Sequence, residues 1–211
     1  MSIVQNLKNI QQELEINKVN PKIIAVSKTF PIEHINPLLD HGHLIYGENR
    51  VQEAKDKWED LIKVNSNLEL HLIGGLQTNK SKDAVKLFNY IHSVDRTSLI
   101  DELFKAENKL NLKRKYFIQV NTGDEDQKFG VSVKELSNLF DYAKSKINVI
   151  GLMCIPPVNE KAEIHFKTLK NLAEDLSLNE LSMGMSHDYI DASKIGATYI
   201  RVGSKIFGSR G

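Results

Sequence analysis

Short apolar segments rich in β-branched residues alternate along the chain with amphipathic segments of helical period. Eight of the apolar segments have the length of a buried strand: KIIAV (22–26), LIYG (44–47), LELHLIG (68–74), YIHSV (90–94), KYFIQV (115–120), NVIGLMC (148–154), ELSMGM (180–185) and TYIRVG (198–203). The segments between them place apolar side chains three and four positions apart, as amphipathic helices do. The same pattern precedes the first strand and predicts an extra N-terminal helix with Ile3, Leu7, Ile10 and Leu14 on one face.

Strands that alternate with helices predict a parallel sheet, because a parallel pair needs a long crossover connection. An open doubly wound sheet and a closed (β/α)8 barrel both satisfy this alternation. The count of eight strands favours the barrel, although 211 residues is at the short end for that fold. No linker rich in proline, glycine or serine divides the chain. We therefore expect an α/β protein with a single TIM-barrel domain over residues 1–211.

Three local signals predict where helices begin, break and end. Ser132 and Glu135 have the S-x-x-E spacing of a capping box, which marks a helix start. Gly196 stands where a helix that ends near Ile195 needs a left-handed cap. Pro37 interrupts the helix expected between residues 32 and 41.

The charge balance excludes several classes of partner. Lys and Arg total 28 against 27 Asp and Glu, so the net charge of +1 gives no global field for nucleic acid or an anionic membrane. Any bound anion must be held by a local site. The chain has no apolar run of about 18 residues, its start is not a secretory signal, and Cys154 has no cysteine to pair with. These features predict a cytoplasmic protein, and no metal site is evident because His41 and His43 lack a third ligand.

Candidate functional residues follow the strands, where a barrel carries its chemistry. Lys28 comes directly after the first strand. Most lysines in such loops are simply solvated, but one at a barrel mouth can also form an imine with a carbonyl group. MGMS (183–186) and VGSKIFGS (202–209) follow the last two strands. Their glycines let backbone N–H groups approach an anion, which suggests a phosphate site at Ser186, Gly203 and Ser204.

Arg201 lies inside the last strand, between two apolar residues. A closed barrel has no edge, so this side chain must face either the helices or the barrel interior. A buried guanidinium needs an acceptor, and a ring nitrogen of a cofactor is one. An imine-forming lysine, a phosphate site and an arginine near the ligand together suggest pyridoxal 5′-phosphate (PLP).

Seven motifs resemble those of the pyridoxal phosphate homeostasis family (YggS/PROSC): AVSKTFP, YGENRVQE, HLIGGLQTNK, VNTGDEDQKFGV, GLMCIPP, LSMGMSHD and RVGSKIFGSR. The resemblance runs in order from about residue 22 to the end of the chain. It implies a barrel like the N-terminal domain of alanine racemase. It also implies a protein that binds, buffers and delivers PLP within the cell, with no established catalytic turnover.

The resemblance assigns a role to each matched residue. It implies an imine at Lys28, a phosphate held by Ser186 and by the backbone of Gly203 and Ser204, an Arg201 that faces the pyridine nitrogen, and an Asn49 close to the cofactor. At four positions the chain departs from the family pattern. Gly75 replaces a frequent histidine, Ser204 replaces a threonine, and Lys205 and Cys154 stand where small residues are usual.

Three functions remain to be weighed. A non-enzymatic PLP carrier, expected as a monomer with transient contacts to apo-enzymes, is the leading interpretation. A PLP-dependent amino-acid racemase is the alternative, and it needs a second base opposite Lys28. In alanine racemase that base is a tyrosine from a further domain. We expect no such domain here, so Tyr46 is the one candidate within a matched motif. A Schiff-base aldolase without PLP is the third, and the seven motifs disfavour it.

Overall fold

A closed barrel of parallel strands forms the centre of the computed structural model, which describes residues 2–125 and 129–208. Part of the motif VNTGDEDQKFGV (residues 126–128) and the final residues 209–211 lie outside this description. The strands are β1 (Lys22–Val26), β2 (Ile45–Glu48), β3 (Glu69–Leu72), β4 (Tyr90–Val94), β5 (Lys115–Asn121), β6 (Val131–Ser132), β7 (Val149–Met153), β8 (Glu180–Ser182) and β9 (Tyr199–Val202).

The pairing order confirms the predicted (β/α)8 barrel. Within the described residues, eight strands follow one another in the circular order β1-β2-β3-β4-β5-β7-β8-β9, and every pairing is parallel. The circle closes between β9 and β1, where Arg201 lies opposite Ile24. The two-residue strand β6 pairs with β5 outside the barrel. It was not predicted, because two residues are too short to carry a periodic pattern.

The helices lie outside the strands, and their bounds are α1 (Ile3–Ile16), α2 (Ile32–Asp40), α3 (Val51–Val64), α4 (Ser81–Leu87), α5 (Thr97–Leu110), α6 (Leu136–Lys144), α7 (Ala162–Asp175), α8 (Tyr189–Ile195) and α9 (Ser204–Phe207). A 3-10 turn at Thr78–Lys80 precedes α4. The predicted N-terminal helix is present as α1, and it buries Leu7, Ile10 and Leu14. Among the helices of the described residues, none is long and apolar enough to cross a membrane.

The three helix signals have different outcomes. Gly196 ends α8 with φ +125°, as predicted. The Ser132 hydroxyl accepts a hydrogen bond from the Glu135 N–H at 3.3 Å, but this turn precedes α6 rather than forming its first turn. The expected interruption at Pro37 is wrong, because α2 continues through it to Asp40. The ring removes one helical N–H, and the complete burial of Ile35 and Leu38 holds the helix in place.

Two apolar layers fill the molecule. The larger layer lies between the barrel and the helices, and a smaller cluster lies inside the barrel: Ile24, Val26, Tyr90, Phe117, Met153 and Tyr199. Because side chains alternate along a strand, Gly47 faces the interior and Tyr46 faces the helices. A Cβ atom at position 47 would lie 2.7 Å from Ile24 Cγ2. The interior is therefore packed, and space for a ligand remains above it.

Candidate functional site

A cavity of about 450 Å³ opens at the carboxyl ends of the strands. The six residues assigned to cofactor binding in the sequence all line it: Lys28, Asn49, Ser186, Arg201, Gly203 and Ser204. The sequence did not indicate the other lining residues, which are mostly apolar: Val26, Phe30, Ile73, Ile155, Met185, His187 and Gly208. Because parallel strands end at the same rim, residues nearly 180 positions apart meet at one site.

The backbone on both sides of Lys28 is held by side chains of α3. Lys57 Nζ donates a hydrogen bond to the Ser27 carbonyl oxygen at 2.9 Å. The Thr29 N–H donates to the Glu53 carboxylate. Thr29 has φ +68°, a left-handed conformation that a threonine adopts only when its surroundings impose it. The position of Lys28 is therefore fixed by α3.

The carboxylate of Glu48 forms the centre of this support. It is fully buried, and its Oε1 atom accepts hydrogen bonds from Ser27 Oγ at 2.7 Å, Lys57 Nζ at 2.9 Å and Trp58 Nε1 at 3.0 Å. One carboxylate thus joins β1, β2 and α3 beneath Lys28. The sequence analysis missed this role, although an acidic residue that ends an apolar strand was a usable signal.

Asn49 is brought to the cavity by the close approach of the loop after β3. A Cβ atom at Gly74 would lie 2.3 Å from the Asn49 carbonyl oxygen. No residue other than glycine fits at that distance. The neighbouring Gly75, where the resembled motif often has histidine, faces the Phe129 ring, and a Cβ atom there would lie 3.2 Å from Phe129 Cε1.

Two adjacent loops carry the predicted phosphate site. Gly184 has φ +91°, and a Cβ atom there would lie 2.6 Å from Ala192 Cβ, so the chain turns sharply before Ser186. The Ser186 hydroxyl accepts from the Lys205 N–H at 3.5 Å, which brings the two loops together. Ser204 is the first residue of α9, so its N–H has no acceptor within the helix.

Lys205 is not simply a solvent-facing charge. Its Nζ atom lies 2.9 Å from a carboxylate oxygen of Glu13 in α1 and 2.8 Å from the Tyr189 hydroxyl oxygen. Hydrogen bonds from Tyr189 and Lys205 lower the pKa of Glu13. The side-chain amide of Asn6 also donates to the Ile206 carbonyl oxygen at 2.9 Å. The N-terminal helix α1 is thereby attached to α9, which directly follows Gly203.

Arg201 is buried and faces the barrel interior, one of the two directions that the sequence left open. Its Nη1 atom donates to Ser182 Oγ at 2.7 Å, and its Nη2 atom donates to the Cys154 carbonyl oxygen at 2.9 Å. A guanidinium carries five N–H groups, so donors remain for a ligand. Burial lowers the pKa of Arg201 and raises the pKa of the Cys154 thiol to about 12. Cys154 is thus a buried, packed thiol.

Tyr46, the candidate second base of a racemase, does not reach the cavity. It is fully buried on the helix-facing side of β2, with its ring 4.7 Å from that of Trp58. Burial raises the pKa of its hydroxyl. Of the residues that the structure describes, no tyrosine lines the cavity. The described part of the chain also brings no three potential metal-ligating side chains together.

The fold and the site define a (β/α)8 barrel with a basic cavity and glycine-rich loops at the carboxyl ends of its strands. The family model described as the N-terminal domain of alanine racemase matches residues 1–211. A pyridoxal phosphate homeostasis protein of Aquifex aeolicus is 42% identical over 200 residues, covering 90% of this chain and 87% of the relative. One from Pasteurella multocida is 34% identical over 229 residues and covers 100% and 98%. The chain belongs to the pyridoxal phosphate homeostasis family, which has the alanine racemase N-terminal barrel.

Solved structures agree with this assignment. PipY of Synechococcus elongatus without PLP is 34% identical, has a TM-score of 0.89, and is matched over 98% of this chain and 100% of that chain. The same protein with PLP bound gives 33% identity and a TM-score of 0.84 over the same coverage. An alanine racemase of Clostridium difficile has a TM-score of 0.76 at 16% identity. The match covers 99% of this chain and 57% of the racemase, and at that identity it shows a shared fold alone.

Proposed function

We propose that the protein binds PLP covalently through Lys28 and serves intracellular PLP homeostasis by holding the cofactor and delivering it. The observation that carries this proposal is the convergence of Lys28, Arg201 and both glycine-rich loops on one cavity. The relatives named for PLP homeostasis and the PLP-bound structure of PipY support it.

The donor set of the cavity fits PLP. Of the described residues that line the cavity, none is acidic, while Lys28 and Arg201 are basic. The volume of about 450 Å³ lies within the usual range for a small-molecule site. PLP, when bound, supplies three groups: an aldehyde, a phosphate dianion and an aromatic ring. The aldehyde condenses with a lysine amine. The apolar side chains of Val26, Ile73 and Ile155 suit the ring.

Each polar residue then has a separate task. The Lys28 amine attaches the cofactor, and its fixed backbone keeps that amine at the mouth of the barrel. The hydroxyls of Ser186 and Ser204 and the N–H groups of Gly203 and Ser204 donate to the phosphate. A net charge of +1 offers little long-range attraction, so these short-range donors supply most of the binding energy for the anion.

Arg201 favours holding the cofactor over using it. A guanidinium donates hydrogen bonds and does not accept a proton, so it keeps the facing pyridine nitrogen unprotonated. An unprotonated ring withdraws electrons weakly and stabilises a carbanion poorly, which argues against transamination and decarboxylation and leaves racemisation open. Racemisation also needs a base on the second face of the ligand, and Tyr46 is buried away from the cavity. These points support a carrier without efficient amino-acid turnover.

The proposal extends to partners and location. We expect a monomer in the cytoplasm that gives up PLP during transient contacts with apo-enzymes. A barrel mouth that is open to solvent admits water and lets the cofactor exchange, which suits delivery more than protected catalysis.

An absorbance spectrum of the protein loaded with PLP tests the proposal. We expect a visible band from the lysine-bound cofactor that disappears in Lys28→Ala and persists in Lys80→Ala, a matched lysine near the barrel mouth. The loaded protein should also restore activity to an apo-enzyme. A wild-type protein without the band would refute PLP binding and leave the aldolase interpretation.

The racemase alternative needs a separate assay. The loaded protein is incubated with L-alanine and other amino acids while optical rotation is followed. We expect no sustained change, and the same result for His187→Gln, which removes an imidazole that lines the cavity. Sustained racemisation without transfer of PLP to an apo-enzyme would replace the carrier by an enzyme.

A further inference from the structure

A chain of hydrogen bonds runs through the barrel interior from its floor, the end opposite the cavity, to Arg201. A carboxylate oxygen of Glu69 lies 3.1 Å from His71 Nε2, and His71 Nδ1 lies 2.8 Å from His92 Nε2. His92 Nδ1 lies 2.8 Å from Ser182 Oγ, which accepts from Arg201 Nη1 at 2.7 Å. Four residues from three strands thus connect the floor to the cavity. We call them the interior relay: Glu69, His71, His92 and Ser182.

The rings of the relay are held in place by stacking. His71 stacks on Tyr90 at 4.3 Å with an interplanar angle of 7°, and His92 stacks on Phe117 at 4.2 Å with an angle of 18°. Both histidines are fully buried. Burial lowers the pKa of His71 and, more strongly, that of His92, so both rings are neutral at neutral pH. A neutral imidazole has one donor nitrogen and one acceptor nitrogen.

The chemistry of the two ends assigns every proton in the relay. Burial acts to raise the pKa of Glu69, but the hydrogen bond from His71, the nearby charge of Lys22 and a hydrogen bond from Tyr90 together lower it, so the carboxylate is ionised and accepts. His71 must therefore carry its proton on Nε2, and its Nδ1 accepts from His92 Nε2. His92 Nδ1 then accepts the Ser182 hydroxyl proton. Because Arg201 can only donate, all the hydrogen bonds point from the cavity to the floor.

We propose that the interior relay positions the Arg201 guanidinium, and that Glu69 at the barrel floor sets the direction of every hydrogen bond in it. The inference rests on the proposed function, because it explains how Arg201 is held towards the PLP ring. The Ser182 hydroxyl donates its hydrogen bond to His92, so its oxygen is free to accept a hydrogen bond from Arg201. Cooperative hydrogen bonding strengthens that acceptor.

Other charged groups lie around the floor, next to the relay. Lys22 Nζ donates to the Tyr199 hydroxyl oxygen at 3.2 Å, and Lys115 Nζ donates to the Tyr90 hydroxyl oxygen at 3.0 Å. Glu180 is the first residue of strand β8 and lies at the same end of the barrel. Glu180 therefore offers a control: it is a floor carboxylate outside the hydrogen-bond chain.

The first test compares two buried serines in the protein loaded with PLP. Ser182→Ala removes the acceptor of Arg201. Ser93→Ala removes a buried hydroxyl next to His92 in β4 that has no hydrogen-bond partner among the described residues. Because hydrogen bonds to a charged group are strong, we expect Ser182→Ala to weaken PLP binding by about tenfold or more. The visible band of the bound PLP should also shift, because its pyridine nitrogen loses the hydrogen bond from Arg201. Ser93→Ala should change neither property.

The second test uses protein without PLP and does not depend on cofactor binding. Nitrogen-15 NMR of the histidine rings should show Nε2–H tautomers for His71 and His92. Glu69→Gln should shift the ring resonances of both histidines, including His92, which Glu69 does not touch. Glu180→Gln should shift neither histidine to a comparable extent.

The outcomes separate this inference from the proposed function. A wild-type protein that fails to bind PLP would refute the proposed function. Wild-type binding with the same affinity and band for Ser182→Ala and Ser93→Ala would refute the positioning of Arg201 alone. Equal NMR responses to Glu69→Gln and Glu180→Gln would refute the relay, whether or not PLP binds.

Discussion

Replacing Lys57 by methionine tests how the site is supported. Lys57 lies on α3 with 8% of its side chain exposed, and it contacts the fully buried Glu48 at 2.9 Å. Its Nζ atom also donates to the Ser27 carbonyl oxygen, directly before Lys28. Methionine keeps most of the length of the side chain but removes its charge. The substitution therefore leaves a buried carboxylate without its counter-charge and frees the backbone that carries Lys28.

The size of the effect follows from the burial of the pair. Removing one partner of a buried ion pair typically costs about 3–5 kcal/mol. Glu48 keeps the hydrogen bonds from Ser27 and Trp58, which places the expected loss near the lower end, at about 3 kcal/mol. For a chain of this size that corresponds to a fall in Tm of about 6–12 °C.

Thermal unfolding followed by circular dichroism measures this loss. Lys63→Met on the same helix is the matched control, because its ion pair with Asp60 is exposed and contributes little. The double variant Lys57→Met with Glu48→Gln should recover part of the stability, since the fully buried side chain at position 48 is then uncharged. If Lys57→Met lowers Tm no more than Lys63→Met does, Glu48 and Lys57 do not support the site as described.

Three further substitutions or treatments have defined outcomes. Gly203→Val introduces a branched side chain whose Cβ atom lies 3.3 Å from the Val26 carbonyl oxygen. PLP binding should weaken about tenfold or more, and binding of unphosphorylated pyridoxal should weaken much less. Equal losses for the two ligands would contradict a phosphate role. Gly74→Ala forces a Cβ atom to within 2.3 Å of the Asn49 carbonyl oxygen. The free energy of unfolding, measured with denaturant, should fall by about 1–3 kcal/mol, and an unchanged value would contradict that close approach. Burial and a pKa of about 12 should keep Cys154 unreactive towards a thiol reagent until the protein unfolds, and rapid labelling of the folded protein would contradict this.

Most of the fold was predictable because each strand and helix carries its own local pattern. The eight barrel strands appear in the sequence as separate apolar runs, although the ends of six of them shift by up to three residues, as for 68–74 against Glu69–Leu72. The candidate site was accessible for a related reason. In a barrel, the residues that follow the strands converge at one rim, so Lys28, Asn49 and Ser204 could be grouped without knowing any distance.

The interior relay could not be predicted in the same way. His71 and His92 lie in strands buried on both faces, so no alternation of polar and apolar positions shows which side chains face inwards. Strand register decides which of them meet. The pairing of Glu13 with Lys205 joins residues 192 positions apart through the packing of α1. Tyr46 is a similar case, since only the structure, in which Gly47 faces the interior, places Tyr46 on the helix side of β2.

The central claim is that Lys28 attaches PLP, and borohydride reduction of the loaded protein followed by peptide mass analysis tests it most directly. Reduction makes the link between the cofactor and the lysine permanent, so the modified residue can be identified. We expect the pyridoxyl group on the peptide that contains Lys28, at close to one per chain, and its loss in Lys28→Ala. A label found chiefly on Lys80 or Lys205, or no label at all, would contradict the account.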